Sequence, residues 1–412
     1  MIKVCMVVHQ YYDRDSRVRR YAESLANAGA RVDVLCLRQP GQRPVEDRDG
    51  IRLLSVPIGR SYKTRASYLM EYGRAFVLFA IRLLGLYARN RYQIIHVHNM
   101  PDFLTFTVLI PRILGAKLIL DIHDPMPEFY MSKYRGGQRS MAVRLMRLQE
   151  KLSAGLAHAV ITANENFRKN LILRGIPADK ITVVNNVADA KLFNRQRYVG
   201  ESLPPDDHFT LIYPGTIAPR YGLDVAIRAL PMLTDQIPQI RLVILGTQTQ
   251  HVEELAILAE QLNVAPFVEF RPPVPVHQVP DHIAQAQVGI YTALPDAHMD
   301  IATPSKVLEY AMMGIPIIAS RLKIIEDLFG PSGVMMFKPG SAHEFAACVA
   351  QLYQQPERRK EMVRTVDMNF VATHSWRYER QKYLELLNKL LSPVERIASY
   401  EERQEVQSEE TT

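Results

Sequence analysis

The segment 303–319 carries the residue types best suited to bind a nucleotide. A helix that begins at Ser305, behind Pro304, presents unbonded backbone N–H groups and the positive end of its dipole, which favour a phosphate or diphosphate. Lys306 lies in the first turn, where a basic residue is unfavourable unless an anion is bound nearby. Glu309, one turn further, can accept hydrogen bonds from two adjacent hydroxyls such as those of a ribose. On the residues alone, a site for a nucleotide diphosphate and an ordinary capped helix before a buried strand are equally good interpretations.

Histidines at predicted strand ends are the second set of candidates. His123 ends a strand and is followed by Asp124 and Pro125, so it lies at the carboxyl edge, where a parallel sheet places its site. His96 and His98 lie on one face of another strand, and His98 is a candidate to line a cleft. A structural histidine is the alternative for each of them.

Alternating strands and helices are needed to bring such residues to one edge of a sheet. Short apolar, β-branched runs indicate buried parallel strands at 2–8, 31–37, 94–98, 117–121, 159–162 and 181–184. Helical patterns lie between them at 16–28, 68–89, 103–114, 141–155 and 165–174. This alternation predicts a doubly wound α/β domain.

The same pattern starts again after a polar stretch with two prolines at 195–208. Strands are predicted at 210–213, 240–245, 268–271, 288–291, 315–319 and 333–337. Helices are predicted at 224–233, 252–261, 280–286, 305–313 and 342–351. We therefore predict an α/β domain over 1–195, a second over 208–357, C-terminal helices over 358–392 that can pack on the first domain, and a disordered acidic tail over 393–412. The natural site is the cleft between the two sheets.

Charge is distributed unevenly along the 412 residues. The formal net charge is +7, but residues 1–200 hold 32 basic and 16 acidic side chains, whereas residues 201–412 hold 18 and 27. A basic half favours an anionic surface, a phosphorylated substrate or a nucleic acid. Cys5, Cys36 and Cys348 have neither CxxC nor metal-ligand spacing, which argues against a disulfide framework and a zinc site. With no signal peptide and no apolar run of about 20 residues, we expect a cytoplasmic protein.

The segment 304–320 resembles the donor-binding signature of family 4 glycosyltransferases, which are retaining enzymes of the GT-B fold. It reads PSKVLEY at 304–310 and GIPIIAS at 314–320. Further segments resemble landmarks of the family in the same order, at 9–37, 98–102, 120–124, 183–189 and 214–224. The resemblance covers most of the chain. It implies two Rossmann-like domains facing across a cleft, the first binding the acceptor and the second binding a nucleotide sugar.

The resemblance also implies roles for the matching positions. In the family, the glutamate of the signature binds the ribose, and this role falls on Glu309. The family holds the diphosphate with the helix start and a basic loop of the second domain, which implies donor contacts at Gly215, Arg220, Pro304, Ser305, Lys306 and Val307. A histidine of the acceptor domain faces the donor sugar, and this role falls on His123. The remaining candidates, for the acceptor side of the cleft, are His98, Asp124 and Arg17.

Two positions depart from the family pattern. Where family members carry a second acid that contacts the donor sugar, this chain has Ile301, with Asp300 beside it. Where the first loop of the second domain offers two cations, Thr216 replaces one and Arg220 remains. The identity of the donor sugar is therefore open, and the preceding loop, 295–300, is an alternative means of holding it.

We expect neither a metal nor an organic cofactor. The segments 13–15 and 47–49 both spell DxD, but neither follows a strand as such a metal site requires, and we interpret both as solvated charge, the second in a polar loop. No GxGxxG follows a strand, which argues against nicotinamide or flavin chemistry. Arg220, Lys306 and a helix N-terminus can stabilise a leaving diphosphate without a metal.

The segment 67–90 predicts a helix whose apolar residues cover most of its circumference. Its main charges are Arg74, Arg82 and Arg89, and three more basic residues lie just upstream: Arg60, Lys63 and Arg65. Buried packing is one interpretation. The other is a helix that rests on an anionic membrane, where each basic residue contributes about 1 kcal/mol.

Together with the charge distribution and the helix at 67–90, the resemblance implies a membrane-associated GT-B glycosyltransferase, similar to those that assemble surface polysaccharides. It would transfer a sugar, with retention, from a nucleotide diphosphate sugar to an anionic acceptor such as a lipid-linked diphosphate sugar. A nucleotide-sugar 2-epimerase of the same fold is the alternative enzyme, and a non-catalytic nucleotide-binding or scaffold protein is the alternative class. Nucleic-acid binding ranks last, because the basic residues form no recognisable module.

Overall fold

The computed structural model describes residues 1–58, 65–134, 140–198, 208–247, 249–392 and 397, without the side chains of 65–69 and 134. The chain divides into two compact units. The first comprises Met1–Asn186 together with the chain from Arg377 onward, and the second comprises Val187–Trp376. The first boundary thus falls at Asn186 and not at 195, and the predicted C-terminal helices divide between the units. The predicted acidic tail lies outside the described residues, apart from Ile397.

An eight-stranded sheet forms the centre of the first unit. Its strands are β1 (Lys3–Tyr11), β2 (Arg31–Leu37), β3 (Val45–Arg48), β4 (Ile51–Val56), β5 (Ile94–His98), β6 (Lys117–Ile122), β7 (Ala159–Thr162) and β8 (Ile181–Val183). They are ordered β3-β4-β2-β1-β5-β6-β7-β8, and every neighbouring pair is parallel except β3 with β4. The continuous apolar runs become strands because both faces of the sheet are covered by helices.

Helices follow most of these strands. Those of the first unit are α1 (Ser16–Asn27), α2 (Arg65–Asn90), α3 (Leu109–Ile113), α4 (Met126–Tyr134), α5 (Met141–Leu156) and α6 (Glu165–Leu173), and a 3-10 helix at Asp102–Val108 leads into α3. One core cluster joins α2, the 3-10 helix, α5 and α6 to the sheet through buried side chains that include Phe79, Leu104, Ala154 and Leu171. These helices therefore cover the same side of the sheet.

The hairpin of β3 and β4 departs from the prediction. The second DxD segment was expected in a polar loop, but Asp47 and Arg48 belong to β3, an antiparallel edge strand whose side chains alternate between exposed and half-buried. Arg48 donates a 2.8 Å hydrogen bond from Nη1 to Oδ1 of Asp13, which belongs to the first DxD segment. An edge strand needs only one covered face, so its sequence lacks the apolar run that marks a central strand.

A six-stranded parallel sheet forms the centre of the second unit. Its strands are β9 (Phe209–Pro214), β10 (Ile240–Leu245), β11 (Val268–Arg271), β12 (Val288–Tyr291), β13 (Ile317–Ser320) and β14 (Met335–Phe337), in the order β11-β10-β9-β12-β13-β14. Its helices are α7 (Leu223–Ala229), α8 (Gln250–Gln261), α9 (Val279–Ala284), α10 (Ser305–Met313), α11 (Lys323–Gly333), α12 (Ala342–Gln354) and α13 (Pro356–Val366). Each unit is thus a Rossmann-like α/β fold, which confirms the predicted fold class.

The last helix, α14 (Trp376–Leu390), returns to the first unit. Its Tyr383 is fully buried, and the hydroxyl lies 3.0 Å from Nδ1 of His96 on β5. Glu379 accepts hydrogen bonds from the backbone and side-chain amides of Asn185, at 2.8 and 3.0 Å. The returning helix therefore supplies both apolar and polar contacts to a domain that begins at the other end of the sequence.

Among the helices of the described chain, none combines the length and the apolarity needed to cross a bilayer.

Candidate functional site

The segment after β9 in the second unit holds the first group of predicted donor residues. Gly215 has φ +139°, and a side chain there would overlap the Lys306 side chain. Four residues further, a 3-10 turn begins at Pro219, and it ends at Gly222, which lies in the left-handed region with φ +58°. The turn is held by the chain after β12, because Thr292 Oγ1 donates to the Tyr221 carbonyl at 2.8 Å. Glycine at 215 thus leaves the room that Lys306 occupies.

Tyr221 brings the two predicted cations together. Lys306 Nζ lies 4.7 Å from the centre of the Tyr221 ring, and Arg220 Cζ lies 5.1 Å from the same centre. Lys306 also lies 5.0 Å from the Tyr213 ring. Cations attract aromatic faces, which here fix both side chains near the end of β9. Burial lowers the pKa of Lys306, and Arg220 adds to this effect, so an anion placed here would favour the charged ammonium.

Helix α10 begins as the sequence predicts, at Ser305 behind Pro304. No side chain caps it, and within the described chain the backbone N–H groups of Ser305 and Lys306 have no acceptor. Val307, whose backbone N–H donates to the Pro304 carbonyl at 3.1 Å, completes the first turn. The helix start therefore presents free donors and a positive dipole end beside Lys306.

Tyr310 positions this helix on the sheet. The buried Tyr310 hydroxyl lies 3.0 Å from the Ile212 carbonyl and 3.2 Å from the Ile290 carbonyl, on neighbouring strands. Gly289 lies under the ring, where any side chain would overlap it. The adjacent Glu309 is half-buried, and burial raises its pKa to about 7 despite the opposing effect of Lys306. A carboxyl group that titrates near neutrality can change its hydrogen-bonding role on ligand binding.

The loop before α10, at 295–300, is the predicted alternative means of holding the donor sugar. Asp296 Oδ1 accepts hydrogen bonds from the backbone N–H groups of His298 and Met299, at 2.8 and 2.7 Å. Asp300 Oδ1 accepts one from Lys323 at 2.9 Å, at the start of α11. Both carboxylates therefore contribute to loop and helix structure, and the role of the loop in sugar binding stays a prediction.

His123 follows β6 in the first unit, as predicted. It is half-buried, and its backbone N–H donates to Asn99 Oδ1 at 3.2 Å. Asn99 Nδ2 donates to the Asp124 carbonyl at 2.7 Å, so one side chain bridges both residues after the strand. His123 Nδ1 lies 3.9 Å from Oδ2 of Asp121. Asn99 thus fixes the backbone at His123, whereas the imidazole lies near Asp121 without a hydrogen bond from Nδ1 to any described residue.

Asp121 and Arg17 form a buried ion pair beneath His123. Arg17 donates from Nε to Oδ2 at 2.8 Å and from Nη2 to Oδ1 at 3.1 Å. Its Nη1 donates to the Val184 carbonyl and to Asn186 Oδ1, at 2.9 and 2.8 Å. Burial acts against ionisation of Asp121, but Arg17, with help from His98 and His123, holds its pKa well below the usual range. The carboxylate is therefore charged and paired.

His98 and His96 extend this network into the core. His98 Nδ1 lies 3.3 Å from Asp121 Oδ2, and because an ionised carboxylate only accepts, His98 is the donor. The His96 ring centre lies 4.1 Å from that of His98. Burial, reinforced by His98, lowers the pKa of His96 well below its usual range. Both histidines are fully buried, so this arrangement links α14, through Tyr383, to the carboxylate under His123.

The ligand atoms of His96, His98 and Asp121 lie within 4.8 Å of one another, a spacing that could hold a metal ion. Both oxygens of Asp121 already accept hydrogen bonds from Arg17. A divalent cation at this point would face the guanidinium at short range, so the residues present suit an ion pair better than a metal. The expected metal independence stays a prediction.

The structure brings the predicted residues together in two groups. The donor group in the second unit comprises Gly215, Arg220, Pro304, Ser305, Lys306, Val307 and Glu309, and the other, in the first unit, comprises Arg17, His98, His123 and Asp124. Arg17 and His98 contact Asp121 and are buried, so a direct contact of theirs with an acceptor stays a prediction. Sequence reasoning assigned no role to Asp121, Asn99, Tyr221 or Tyr383. A charged residue inside an apolar strand, as at Asp121, is the signal that could have indicated a buried partner.

Comparison with known protein families matches both halves of the chain. The description "Glycosyl transferase 4-like domain" matches residues 15–187, and "Glycosyl transferases group 1" matches residues 194–366. A curated relative, the D-inositol 3-phosphate glycosyltransferase of Thermomonospora curvata, is 24% identical over 365 residues, which cover 83% of this chain and 82% of the relative.

Solved structures show the same fold over nearly the whole chain. Sucrose-phosphate synthase from Thermosynechococcus elongatus superposes with a TM-score of 0.76 at 17% identity, covering 95% of this chain and 99% of that one. HepE from Anabaena in complex with UDP-glucose superposes with a TM-score of 0.65 at 14% identity, covering 94% and 100%. Together with the two Rossmann-like units, these matches identify the chain as a glycosyltransferase of the GT-B fold and family 4 type, in which a glycosyl transferase 4-like domain precedes a glycosyl transferases group 1 domain.

Proposed function

We propose that the chain transfers a sugar from a nucleotide diphosphate sugar to a phosphate-bearing acceptor, with retention of the anomeric configuration. The observation that carries the proposal is the grouping of Lys306, Arg220 and the free amides at the start of α10 at the end of β9. Positive charge and N–H donors then lie where the negative charge of a leaving diphosphate develops. HepE, of the same fold, is described in complex with UDP-glucose, which supports a donor of this class.

In the proposed donor site, different residues bind the diphosphate and the ribose of the nucleotide. Lys306, Arg220 and the amides of Ser305 and Lys306 bind the diphosphate, and Gly215 leaves the room that the Lys306 side chain needs. Glu309, one helical turn from these amides, accepts hydrogen bonds from the ribose hydroxyls. The two side-chain cations supply charge that other transferases obtain from a metal ion, which supports metal-independent transfer.

We propose that the acceptor is anionic and is bound by the first unit. The excess of basic over acidic residues in 1–200 would attract a phosphate group. The relative from Thermomonospora is described as a D-inositol 3-phosphate glycosyltransferase, which supports a phosphorylated acceptor. Such a group can be free in solution or linked to a lipid, as in the precursors of surface polysaccharides. A cytoplasmic enzyme on the inner face of the membrane fits the lipid-linked form.

The proposed reaction proceeds by attack on the face from which the leaving group departs. The bond from the anomeric carbon to the phosphate oxygen breaks, and a bond from that carbon to an acceptor hydroxyl oxygen forms on the same side. The hydroxyl proton passes to the departing phosphate, which carries it away with the nucleotide. His123, whose backbone is held by Asn99 and whose ring lies 3.9 Å from Asp121, would face the sugar in this step. Asp296 and Asp300 are engaged with backbone amides, which supports a route without a covalent carboxylate intermediate.

The proposal is tested first by a thermal-shift screen of UDP-, GDP- and ADP-sugars. The sugar nucleotide that raises the unfolding midpoint most is then titrated calorimetrically. Lys306→Ala should weaken its binding about tenfold to hundredfold, because a charge-assisted hydrogen bond contributes about 1.5–3 kcal/mol. Lys338→Ala, which removes an exposed lysine of the same unit, is the matched control and should bind as the wild type.

The transfer reaction is then measured with the selected donor and with acceptors of two kinds. One is inositol phosphate in water, and the other is a lipid extract dispersed in detergent. We expect product from a phosphorylated acceptor, with the same anomeric configuration as the donor by NMR. An inverted product would refute retention, and donor consumption that does not depend on acceptor would favour the epimerase. Unchanged nucleotide affinity in Lys306→Ala would show that the donor site is wrongly assigned.

A further inference from the structure

The outer surface of α2, α3 and α5 exposes an unusual number of large apolar side chains. Val77 and Ile81 on α2, Ile110 and Ile113 on α3, and Leu145 and Leu148 on α5 are between 50% and 71% exposed. On α2 and α5 they lie three or four residues apart, on the side of the helix that faces away from the sheet. A monomer in water rarely presents a contiguous apolar surface of this kind without a partner.

The charges on these three helices are all of one sign at the surface. Their exposed charged residues are Arg74, Arg82 and Arg89 on α2 and Arg144 and Lys151 on α5. Only two acids occur in the three helices, and both are buried: Glu71 lies 3.8 Å from His9, and Glu150 binds Arg174. The surface therefore combines apolar side chains with basic ones and presents no exposed carboxylate.

Hydrogen bonds join the three helices into one continuous face. The Tyr87 hydroxyl, on α2, donates to the Leu114 carbonyl after α3 at 3.0 Å. Arg112 Nε, on α3, donates to the Leu156 carbonyl at the end of α5 at 2.7 Å. Beneath them, α2 and α5 share one core cluster with the sheet. The three helices thus pack beside one another on one side of the sheet, and their exposed apolar and basic side chains lie on the outer surface.

We propose that this face, formed by the outer sides of α2, α3 and α5, binds the surface of an anionic lipid bilayer. Apolar side chains can enter the boundary between headgroups and acyl chains while arginine and lysine side chains contact the phosphates. A second copy of the chain fits less well, because two-fold pairing would bring identical basic surfaces together without a carboxylate to match them. A nucleic acid would leave the apolar side chains without a function.

The three-helix face extends what the sequence indicated. The sequence pointed to 67–90 alone, whereas the structure adds α3 and α5 and shows that α2 also packs on the sheet through Phe79 and Leu83. The inference deepens the proposed function, because a lipid-linked acceptor would be held at such a surface. Because the inference rests on residues outside the donor site, membrane binding and the proposed donor site can be refuted independently of each other.

Vesicle co-sedimentation of the full chain tests the proposal. We expect binding to vesicles of phosphatidylcholine with phosphatidylglycerol, weaker binding as salt rises, and little binding to phosphatidylcholine alone. Arg144→Glu should weaken binding about 25-fold, because it changes the charge by two and each unit is worth about fivefold at a membrane surface. The matched control is Arg358→Glu, which reverses an exposed arginine on α13 of the other unit and should bind as the wild type.

A second pair of variants tests the apolar contribution. Leu145→Gln combined with Leu148→Gln should reduce binding at least tenfold, whereas Ile257→Gln, at a 52% exposed position on α8, should not. Circular dichroism and the unfolding midpoint confirm that the variants fold. Equal binding to neutral and anionic vesicles, or full binding by the double variant, would overturn the proposal. The proposal would also be overturned if the wild-type protein sedimented as a dimer that dissociates in the double variant, and if the protein bound no vesicles. Nucleotide titration, performed without vesicles, reports on the donor site independently.

Discussion

Glu309 allows a quantitative test of the donor site, because its carboxyl group titrates in an accessible range. Burial raises its pKa to about 7, so the group is about one tenth ionised at pH 6 and about nine tenths at pH 8. Only the ionised carboxylate offers both oxygens as acceptors to two ribose hydroxyls. We therefore expect the affinity for a nucleotide sugar to rise about tenfold from pH 6 to pH 8, and binding at pH 7 to release about half a proton. Lys306 has the opposite effect on the pH dependence of the affinity. Because burial lowers its pKa, the ammonium loses its charge as the pH rises further, and anion binding weakens.

Isothermal titration calorimetry in buffers of different ionisation enthalpy measures both the affinity and the released protons. A nucleotide sugar is the right ligand, because its diphosphate is a diester and does not titrate near neutrality. Glu309→Gln keeps the size of the side chain and removes the titration, so its affinity should be lower at pH 8 and independent of pH between 6 and 8. A wild-type affinity that does not change with pH, or a pH slope retained in Glu309→Gln, would refute the assignment of Glu309 to the ribose.

Two further substitutions test the supporting structure. Asp121→Asn should cost about 3–5 kcal/mol of unfolding free energy by leaving Arg17 buried without its counter-charge, and should lower the unfolding midpoint of the first unit by about 6 °C or more in calorimetry. Because the native pKa of Asp121 lies below its unfolded value, this difference should be full at neutral pH and shrink in acid; a constant difference would contradict the ion pair. Gly215→Ala should displace Lys306 and weaken nucleotide binding, at a backbone cost of about 1–3 kcal/mol. Gly85→Ala, a helical position with open space around it, should leave nucleotide binding unchanged.

Most of the central strands and the start of helix α10 could be predicted because their signals are local. Buried parallel strands appear as continuous apolar runs, and the helix start at Ser305 is marked by the preceding proline. The start of α10 was predicted to the residue. Neither strand of the hairpin β3–β4 was predicted. In the edge strand Val45–Arg48, exposed and half-buried side chains alternate in a polar segment, where a strand and a loop look alike.

The environment of His123 could not be predicted because its contacts are distant in sequence. Arg17 and Asp121 are 104 positions apart, and Tyr383 lies 287 positions from His96. No spacing rule relates such residues, since only the order of strands in the sheet brings them together. For this reason nothing in the sequence indicated that Arg17 and His98 both contact Asp121.

The return of α14 to the first unit has a consequence for the order of folding during synthesis. A ribosome releases the N-terminal domain first, and most domains can then fold before the rest of the chain emerges. Here the first unit lacks α14 until the whole second unit has been made. Only then can the amide groups of Asn185 bind Glu379 and the ring of His96 contact Tyr383. The second unit, contiguous from Val187 to Trp376, is therefore the one that can finish first, although its synthesis begins later.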